Sequence, residues 1–223
     1  MAFGPIMKLK TTTGLALELA PFSREDLSST LEGMQKDSVL RFISLQHKAQ
    51  TIDSIQQWYD GIASDSSRML WGIWAKEKGT RKLIGNTVLM EKSSEPIVQM
   101  VSGIVIADNA YWGKGIASAC HKARTWYAFR QLGLVRIKSA VIDENHASRL
   151  ALEKVGYSFV YTERNDKFVD GKFRHKDCFE CLNPDDWAWR LWWGDDRPTR
   201  RAIEARDRTR SVLEWAENNV ELA

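Results

Sequence analysis

A change of hydrophobic period in the middle of the chain most constrains its fold. Three consecutive segments, MLWGIWA, KLIGNTVLM and IVQMVSGIVIA, have the apolar content and length of strands. Turn residues separate them, at Lys78-Gly79 and before Pro96, which indicates an antiparallel meander. After Gly113-Lys114-Gly115 the apolar residues recur at helical spacing. The pattern therefore predicts an α/β domain in which a glycine-rich turn connects a sheet to a helix.

Weaker sequence patterns on both sides of this region predict further strands and helices that alternate along the chain. They predict a strand at 15–19, a helix introduced by Ser23 and Asp26, a helix from Thr51 to about 64, a strand at 135–142, a helix at 147–155 and a hairpin at Asp170-Gly171. This order of elements is typical of a single α/β unit ending near residue 182.

The composition changes after that point. Five of the ten tryptophans fall in the last forty residues, at Trp187, Trp189, Trp192, Trp193 and Trp215. A helix is predicted to begin at Asn183-Pro184 and to end at Gly194, and another follows Pro198. We therefore predict a domain at 1–182 and a Trp-rich helical extension at 183–223. The extension is expected either to pack on the domain or to form an interface, including one in a homodimer.

Charge and composition exclude several classes of protein. The 223 residues are 43% hydrophobic with a net charge of +3, and the basic residues form no dense block, so no nucleic-acid partner is expected. No uncharged apolar run reaches the roughly 18 residues of a membrane span. Three cysteines, an odd number, suit a reducing compartment, so we expect a cytoplasmic protein.

The glycine turn itself suits a phosphorylated ligand. Gly113 and Gly115 let the backbone approach a ligand closely, and the following helix start offers free N–H groups to a pyrophosphate. Two other interpretations remain: a dinucleotide fingerprint, in which Ser118 would replace the third glycine, and a tight connection that binds nothing.

A second motif favours the ligand-binding interpretation. The run from Asn145-His146-Ala147-Ser148 to Gly156-Tyr157, together with 111–117 (YWGKGIA), resembles the GNAT superfamily of acetyltransferases, and within it the RimJ/RimL type. The resemblance covers roughly residues 12–182. It implies a mixed α/β sheet that splays at its middle strand and takes acetyl-CoA into the opening, without a metal.

The resemblance also implies which residues bind the cofactor. The pantetheine arm is expected along Ile104, Val105 and Ile106. The pyrophosphate is expected at Tyr111, Trp112, Gly113, Lys114, Gly115, Ile116 and Ala117, and Asn145 is expected to reach the cofactor from the next strand. Two departures are Ala110, where the superfamily often has Gln or Arg, and Ser102, where RimJ/RimL-like proteins often have an acid.

The implied reaction is the attack of a primary amine on the acetyl thioester. The acceptor would be a peptide N-terminus or a small-molecule amine. Glu91 is the first candidate for the general base, with Asp108, Asp143 and Glu144 as others, and water could serve for an α-amine, whose pKa is near 7.8. Ser148 is the candidate acid for the leaving thiolate, or else only a helix cap. The acceptor pocket is expected from loops at 36–50, 91–97 and 164–175.

Other chemistry is less favoured by the pattern. Zinc binding by His175, Cys178 and Cys181 lacks a second ligand pair, so packing is the preferred interpretation. Cys120 lies on the apolar helix face and is predicted in the core, whereas His121 and His146 are predicted at the surface. Two alternatives to an enzyme stay open: a non-catalytic acyl-CoA-binding module, and an interaction module that uses the Trp-rich tail.

Overall fold

One nine-stranded sheet runs through the molecule. The computed structural model describes residues 3–43, 51–91 and 98–223. The strands are β1 (Met7–Lys10), β2 (Ala16–Ala20), β3 (Arg68–Glu77), β4 (Thr80–Glu91), β5 (Gln99–Ile106), β6 (Arg136–Ile142), β7 (Ser158–Val169), β8 (Lys172–Leu182) and β9 (Glu221–Leu222). Their order across the sheet is β7-β8-β6-β5-β4-β3-β2-β1-β9. The mixed α/β fold class expected from the sequence is confirmed.

The antiparallel meander β3-β4-β5 is confirmed, as are both predicted hairpins. Lys78 and Gly79 have positive φ, and so do Asp170 and Gly171, which is the backbone that a two-residue hairpin turn of the primed type requires. Strands β1 and β9 were not expected from the sequence, because each is short and depends on its neighbour for pairing.

Seven helices are found in the described residues: α1 (Ser28–Met34), α2 (Asp37–Ile43), α3 (Ile52–Ala63), α4 (Ile116–Arg130), α5 (His146–Glu153), α6 (Asp186–Trp193) and α7 (Arg200–Asn219). The Thr51 start of α3 is confirmed as a capping box with Ser54. Ser23 does bond Asp26, but this pair introduces a 3-10 turn at Glu25–Leu27, and the α-helix begins only at Ser28. No helix of the described ranges is long and apolar enough to cross a membrane.

The sheet opens between its two middle strands. β5 and β6 are parallel and connected through α4, but they pair only at Gln99–Val101 against Arg136–Lys138. Beyond Val101, β5 continues beside β4 alone, while β6 continues beside β8. The two halves of the sheet therefore diverge toward the end of β5, and a cleft forms there.

The C-terminal extension lies on the domain. Val212, Leu213 and Ala216 of α7 are buried in the same apolar cluster as Ile116 of α4 and Trp71 of β3. A second cluster fills the other face of the sheet beneath α1 and α3. At the close crossing of α7, Gly156 leaves room for Thr209, since a Cβ at Gly156 would lie 2.0 Å from the Thr209 hydroxyl. Helix α7 thus covers α4, and β9 then pairs with β1.

Candidate functional site

The start of α4 is built to receive a negatively charged group. Gly113 and Gly115 have φ of +74° and +77°, a left-handed conformation that other residues rarely adopt. Gly115 is the N-cap of α4, and no side chain caps the helix there. Within the described residues, the first N–H groups of α4 at Ile116 and Ala117 therefore have no side-chain cap, and they lie at the positive end of the helix dipole.

Aromatic side chains hold the glycine loop against the sheet. The indole nitrogen of Trp112 donates to the Ile106 carbonyl at 2.9 Å, and the Tyr111 hydroxyl donates to Glu77 at 3.1 Å. Burial and the Glu77 hydrogen bond raise the pKa of Tyr111, so this phenol stays protonated. The Lys114 ammonium lies 4.7 Å from the centre of the Tyr111 ring. The loop thus presents a cation beside the exposed helix start.

The hydrogen-bond alternation of β5 directs specific peptide groups into the cleft. Ala107 donates to the Ile84 carbonyl at 2.8 Å, which places that pair among the hydrogen-bonded positions of the β4–β5 ladder. By alternation, Val105 directs its peptide groups at β4, whereas Ile104 and Ile106 direct theirs away from it. Because β6 pairs with β5 no further than Val101, that outer edge is open to an extended ligand.

Asn145 and Ser148 lie across the cleft at the start of α5. The Asn145 side-chain oxygen accepts from the Ser148 backbone N–H at 3.1 Å, so Asn145 is the N-cap. The interpretation of Ser148 as only a cap is therefore wrong, because its hydroxyl is not the group that closes the helix. Ser148 is half-buried, and its catalytic role stays a prediction.

The four candidate bases differ in their surroundings. Glu91 is exposed at the end of β4, opposite Met100. Burial raises the pKa of Asp108, but bonds from Lys82 (2.7 Å) and the Ala110 N–H outweigh it and lower the pKa overall, which makes this carboxylate a weak base. Glu144 forms ion pairs with two arginines. Asp143 has one buried carboxylate oxygen without a hydrogen-bond partner among the described residues.

Ion pairs connect two of the segments predicted to form the acceptor pocket. Arg41 of α2 contacts Glu144 and also Asp170 at the tip of the β7–β8 hairpin, and Arg174 contacts Glu144 at 2.6 Å. These contacts bring parts of 36–50 and 164–175 together beside the β6–α5 turn. The remaining predicted segments, 44–50 and 92–97, lie outside the described residues.

A buried polar cluster lies beneath the cleft and corrects one prediction. His121 was expected at the surface but is 2% exposed, because it lies on the side of α4 that faces the sheet, beside Arg124 and the ring of Tyr157. Arg124, one turn further on, is fully buried. His146 is exposed and Cys120 is buried, as predicted.

The cysteines of β8 point away from each other. Cys181 is buried against the Thr209 hydroxyl at 3.5 Å, while Cys178 lies 3.8 Å from Glu163 on the other face. The ring nitrogen Nδ1 of His175 accepts from the Asn165 N–H. In the described part of the chain, no three His, Cys, Asp or Glu side chains converge in a way that could hold a metal ion.

Comparison with known proteins identifies the family. Residues 16–158 match the acetyltransferase (GNAT) domain, which is more than half of the chain. The chain belongs to the GNAT acetyltransferase family. Members of this family transfer an acetyl group from acetyl-CoA, and this GNAT protein is therefore an N-acetyltransferase.

Two relatives from Bacillus subtilis (strain 168) carry the same activity in their names. The uncharacterized N-acetyltransferase YoaA is 26% identical over 170 residues, which are 75% of this chain and 94% of YoaA. The probable N-acetyltransferase YjcK is 34% identical over 79 residues. That match spans 35% of this chain and less than half of YjcK, 44%.

Solved structures share the fold at low sequence identity. A spermidine N-acetyltransferase from Vibrio cholerae, in complex with CoA and spermine, matches with a TM-score of 0.65 at 19% identity and covers 75% of this chain and 95% of its own. Mycobacterium smegmatis RimJ, in complex with CoA-disulfide, matches with a TM-score of 0.64 at 18% identity over 99% of this chain and 97% of its own.

The sequence patterns identified the residues around the cleft of this GNAT domain, but not the buried polar residues behind it. The loop and strand residues near the cleft were identified from motifs, but His121, Arg124 and Tyr157 were not expected to surround a common buried space. No local signal marked them, because His121 and Arg124 lie on the side of α4 that faces the sheet, and only the packing shows which side that is.

Proposed function

We propose that this GNAT protein is a RimJ/RimL-type enzyme that acetylates a primary amine by direct attack on acetyl-CoA. The observation that carries the proposal is the open edge of β5 beside the uncapped start of α4. An extended amide-containing arm can pair with Ile104 and with the N–H of Ile106 as a further strand would, while the diphosphate accepts from the N–H groups at 115–117.

The individual contacts follow from this placement. Gly113, Lys114, Gly115, Ile116 and Ala117 bind the pyrophosphate, with Tyr111 and Trp112 fixing the loop. Ile104 binds the arm through its peptide groups and Ile106 through its N–H, since the Ile106 carbonyl accepts from Trp112, and Val105 lines the arm by its side chain. Asn145 faces the arm from the β6 side, where its amide nitrogen is not used in the cap.

The chemistry needs a proton acceptor and a proton donor. The amine nitrogen attacks the thioester carbon, the C–N bond forms, and the C–S bond breaks with its electron pair left on sulfur. Ser148 donates a proton to that sulfur. Glu91 accepts the proton of the amine, directly or through water, and Asp143, with its unpartnered oxygen, is the strongest alternative.

The acceptor is proposed to be a cationic amine, either a peptide N-terminus or a small-molecule amine. Asp143, with a buried oxygen that has no partner among the described residues, is the carboxylate beside the predicted acceptor segments that can meet such a cation, since Glu144 and Asp170 are paired with arginines. The spermidine N-acetyltransferase neighbour, which binds spermine, supports the small-molecule class by its fold alone, since it is 19% identical.

Calorimetric titration with acetyl-CoA tests the cofactor site. We expect micromolar binding to the wild type and a loss of more than about a hundredfold in Gly115→Glu, because a carboxylate would oppose the pyrophosphate and the left-handed backbone would be strained. Gly171→Glu is the matched control, since Gly171 also has positive φ but lies in an exposed hairpin turn. Equal binding by wild type and Gly115→Glu would refute the proposed site.

A further inference from the structure

A fully buried arginine lies under the inner end of the cleft. Arg124 of α4 has no exposed surface, and its Nη1 donates to the Thr87 hydroxyl on β4 at 2.5 Å and to the Gly103 carbonyl on β5 at 2.8 Å. Its Nη2 donates to Nδ1 of His121 at 2.6 Å. The guanidinium is therefore held rigidly against the part of β5 where the sheet begins to open.

This positive charge has no ionic partner in the part of the chain that the structure describes. The hydrogen bonds of Arg124 go to Thr87, Gly103 and His121 and none to a carboxylate, and its Nε has no partner there. All three acceptors that it does have are neutral. Burying an unpaired charge is costly, and such a charge interacts strongly with any negative charge that comes near it in a low-dielectric interior.

The neighbouring titratable groups do not supply the missing negative charge. Because arginine can only donate, His121 must accept at Nδ1, so it is neutral and carries its proton on Nε2. Burial and the charge of Arg124 hold the pKa of His121 well below its usual range. Burial raises the pKa of Cys120 and of Cys181 to about 12, and it raises the pKa of Tyr157, while Arg124 acts in the opposite direction on all three.

This inference rests on the proposed function. If acetyl-CoA binds as proposed, its acyl end lies beside the Gly103 segment of β5. The pyrophosphate site lies next to the C-terminal end of β5, so the arm runs back along β5 from Ile106 toward Gly103. Three residues of strand span about 10 Å. The sulfur therefore lies toward the vertex of the cleft, near Gly103, whose carbonyl faces β4 and accepts from Arg124 there.

We propose that Arg124 is a permanent buried cation that stabilises the CoA thiolate as it leaves. When the amine nitrogen bonds to the carbonyl carbon and the C–S bond breaks, the electron pair stays on sulfur until Ser148 donates its proton and regains one from water, and the amine proton goes to the base or to water. The new negative charge arises near an uncompensated guanidinium that is already in place. Arg124 acts through the electrostatic potential that it creates at the sulfur and contacts no reacting atom. It is therefore a positioning residue and not a catalytic residue.

The first test measures the thiol of bound CoA in the wild-type protein. Its ionisation is followed by far-ultraviolet thiolate absorbance between pH 6 and 9, with the desulfo-CoA complex as the blank. The groups that face Arg124, which are Cys120, His121, Tyr157 and Cys181, keep one protonation state in this range. We expect the bound thiol to ionise at least about one pH unit below free CoA, a tenfold change in its dissociation constant.

Variants separate the charge from the packing. Methionine in Arg124→Met fills a similar volume without the charge. Replacing a buried charged residue by an apolar one of similar size is tolerated in many proteins. We expect Arg124→Met to return the pKa of the bound thiol to that of free CoA. It should also lower kcat about tenfold, with the KM for acetyl-CoA within threefold of the wild type. Arg124→Lys retains the charge and should keep most of the thiol shift. Arg130→Met is the control, since Arg130 is on the same helix but pairs with Asp185 and Glu217.

Each result decides between defined conclusions. A bound thiol that ionises like free CoA in the wild type overturns the inference without any variant, even if Arg124→Met does not fold. A shifted thiol that is unchanged in Arg124→Met also overturns it. If the wild type does not bind CoA at all, the proposed function itself fails and takes this inference with it. Binding and turnover with an unshifted thiol would leave the proposed function intact.

Discussion

Ser148 and Asn145 occupy the same helix start but have different expected effects when replaced. Asn145 closes the N-terminus of α5 with its side chain, whereas the Ser148 hydroxyl is not used in that cap. Ser148→Ala should therefore lower kcat by about 10- to 100-fold, with no change in the melting temperature. Asn145→Ala should lower the free energy of unfolding by about 1 kcal/mol. Steady-state kinetics and thermal denaturation of both variants check this, and a kcat unchanged in Ser148→Ala would remove Ser148 from the reaction.

His121 makes a pH-dependent contribution to stability with a definite sign. Its folded pKa is far below the unfolded value of about 6.5, because it is buried beside Arg124, so the unfolded chain takes up a proton that the native protein does not. Its contribution is therefore complete above about pH 6.5 and is lost on acidification, by up to about 1.4 kcal/mol per pH unit.

Urea unfolding at pH 7.5, 6.5 and 5.5 measures this slope. We expect His121→Leu to flatten the decline between pH 6.5 and 5.5. His146→Leu is the control and should retain the wild-type slope, since His146 is exposed. An equal slope in wild type and His121→Leu would show that another group titrates there.

Helix α7 is an integral part of the core at the scale of elements. Leu213 is fully buried between α4 and the sheet, while Ile203 on the same helix is 47% exposed. Leu213→Ala should cost about 2–5 kcal/mol of unfolding free energy, because it leaves a cavity in the main apolar cluster. Ile203→Ala should cost less than about 0.5 kcal/mol. Chemical denaturation compares the two, and a tolerant Leu213→Ala would mean that α7 is a detachable segment.

The tryptophans of the tail are divided between packing and exposure. The ring of Trp192 lies 4.3 Å from the Arg136 guanidinium, and Trp189 lies 4.4 Å from that of Arg206. Trp187 and Leu191 remain more than half exposed. Much of the tail's aromatic surface is therefore used within the chain, and an interface with a second copy stays a prediction for the exposed part of α6.

At the scale of the whole molecule, cofactor binding is expected to couple the two halves of the splayed sheet. A ligand at 100 times its Kd that binds only the folded state adds about 2.7 kcal/mol of stability. For a chain of this length that corresponds to roughly 5–10 °C in melting temperature. Acetyl-CoA should produce this shift and NAD should not, and the reverse result in thermal-shift measurements would favour the dinucleotide interpretation of the glycine turn.

Local sequence patterns were sufficient for much of the fold. The hairpins at Lys78-Gly79 and Asp170-Gly171, the capping box at Thr51 and the glycine start of α4 each depend on residues close in the chain, and each was found where predicted. The pairing of β1 with β9 could not be anticipated, because it joins residues more than two hundred positions apart that have little strand character alone.

By itself, the sequence determined most of the longer strands and helices, although not β1, β9 or α2, and where the backbone can take a left-handed turn at Gly113 and Gly115. These are properties of periodicity and of single residues. Only the tertiary structure decided that β5 leaves β6 after Val101, which opens the cleft, and that α7 lies over α4. The burial of Arg124 and His121 follows from the packing of α4 on the sheet, since a charged residue on a helix is solvated or buried according to what covers it.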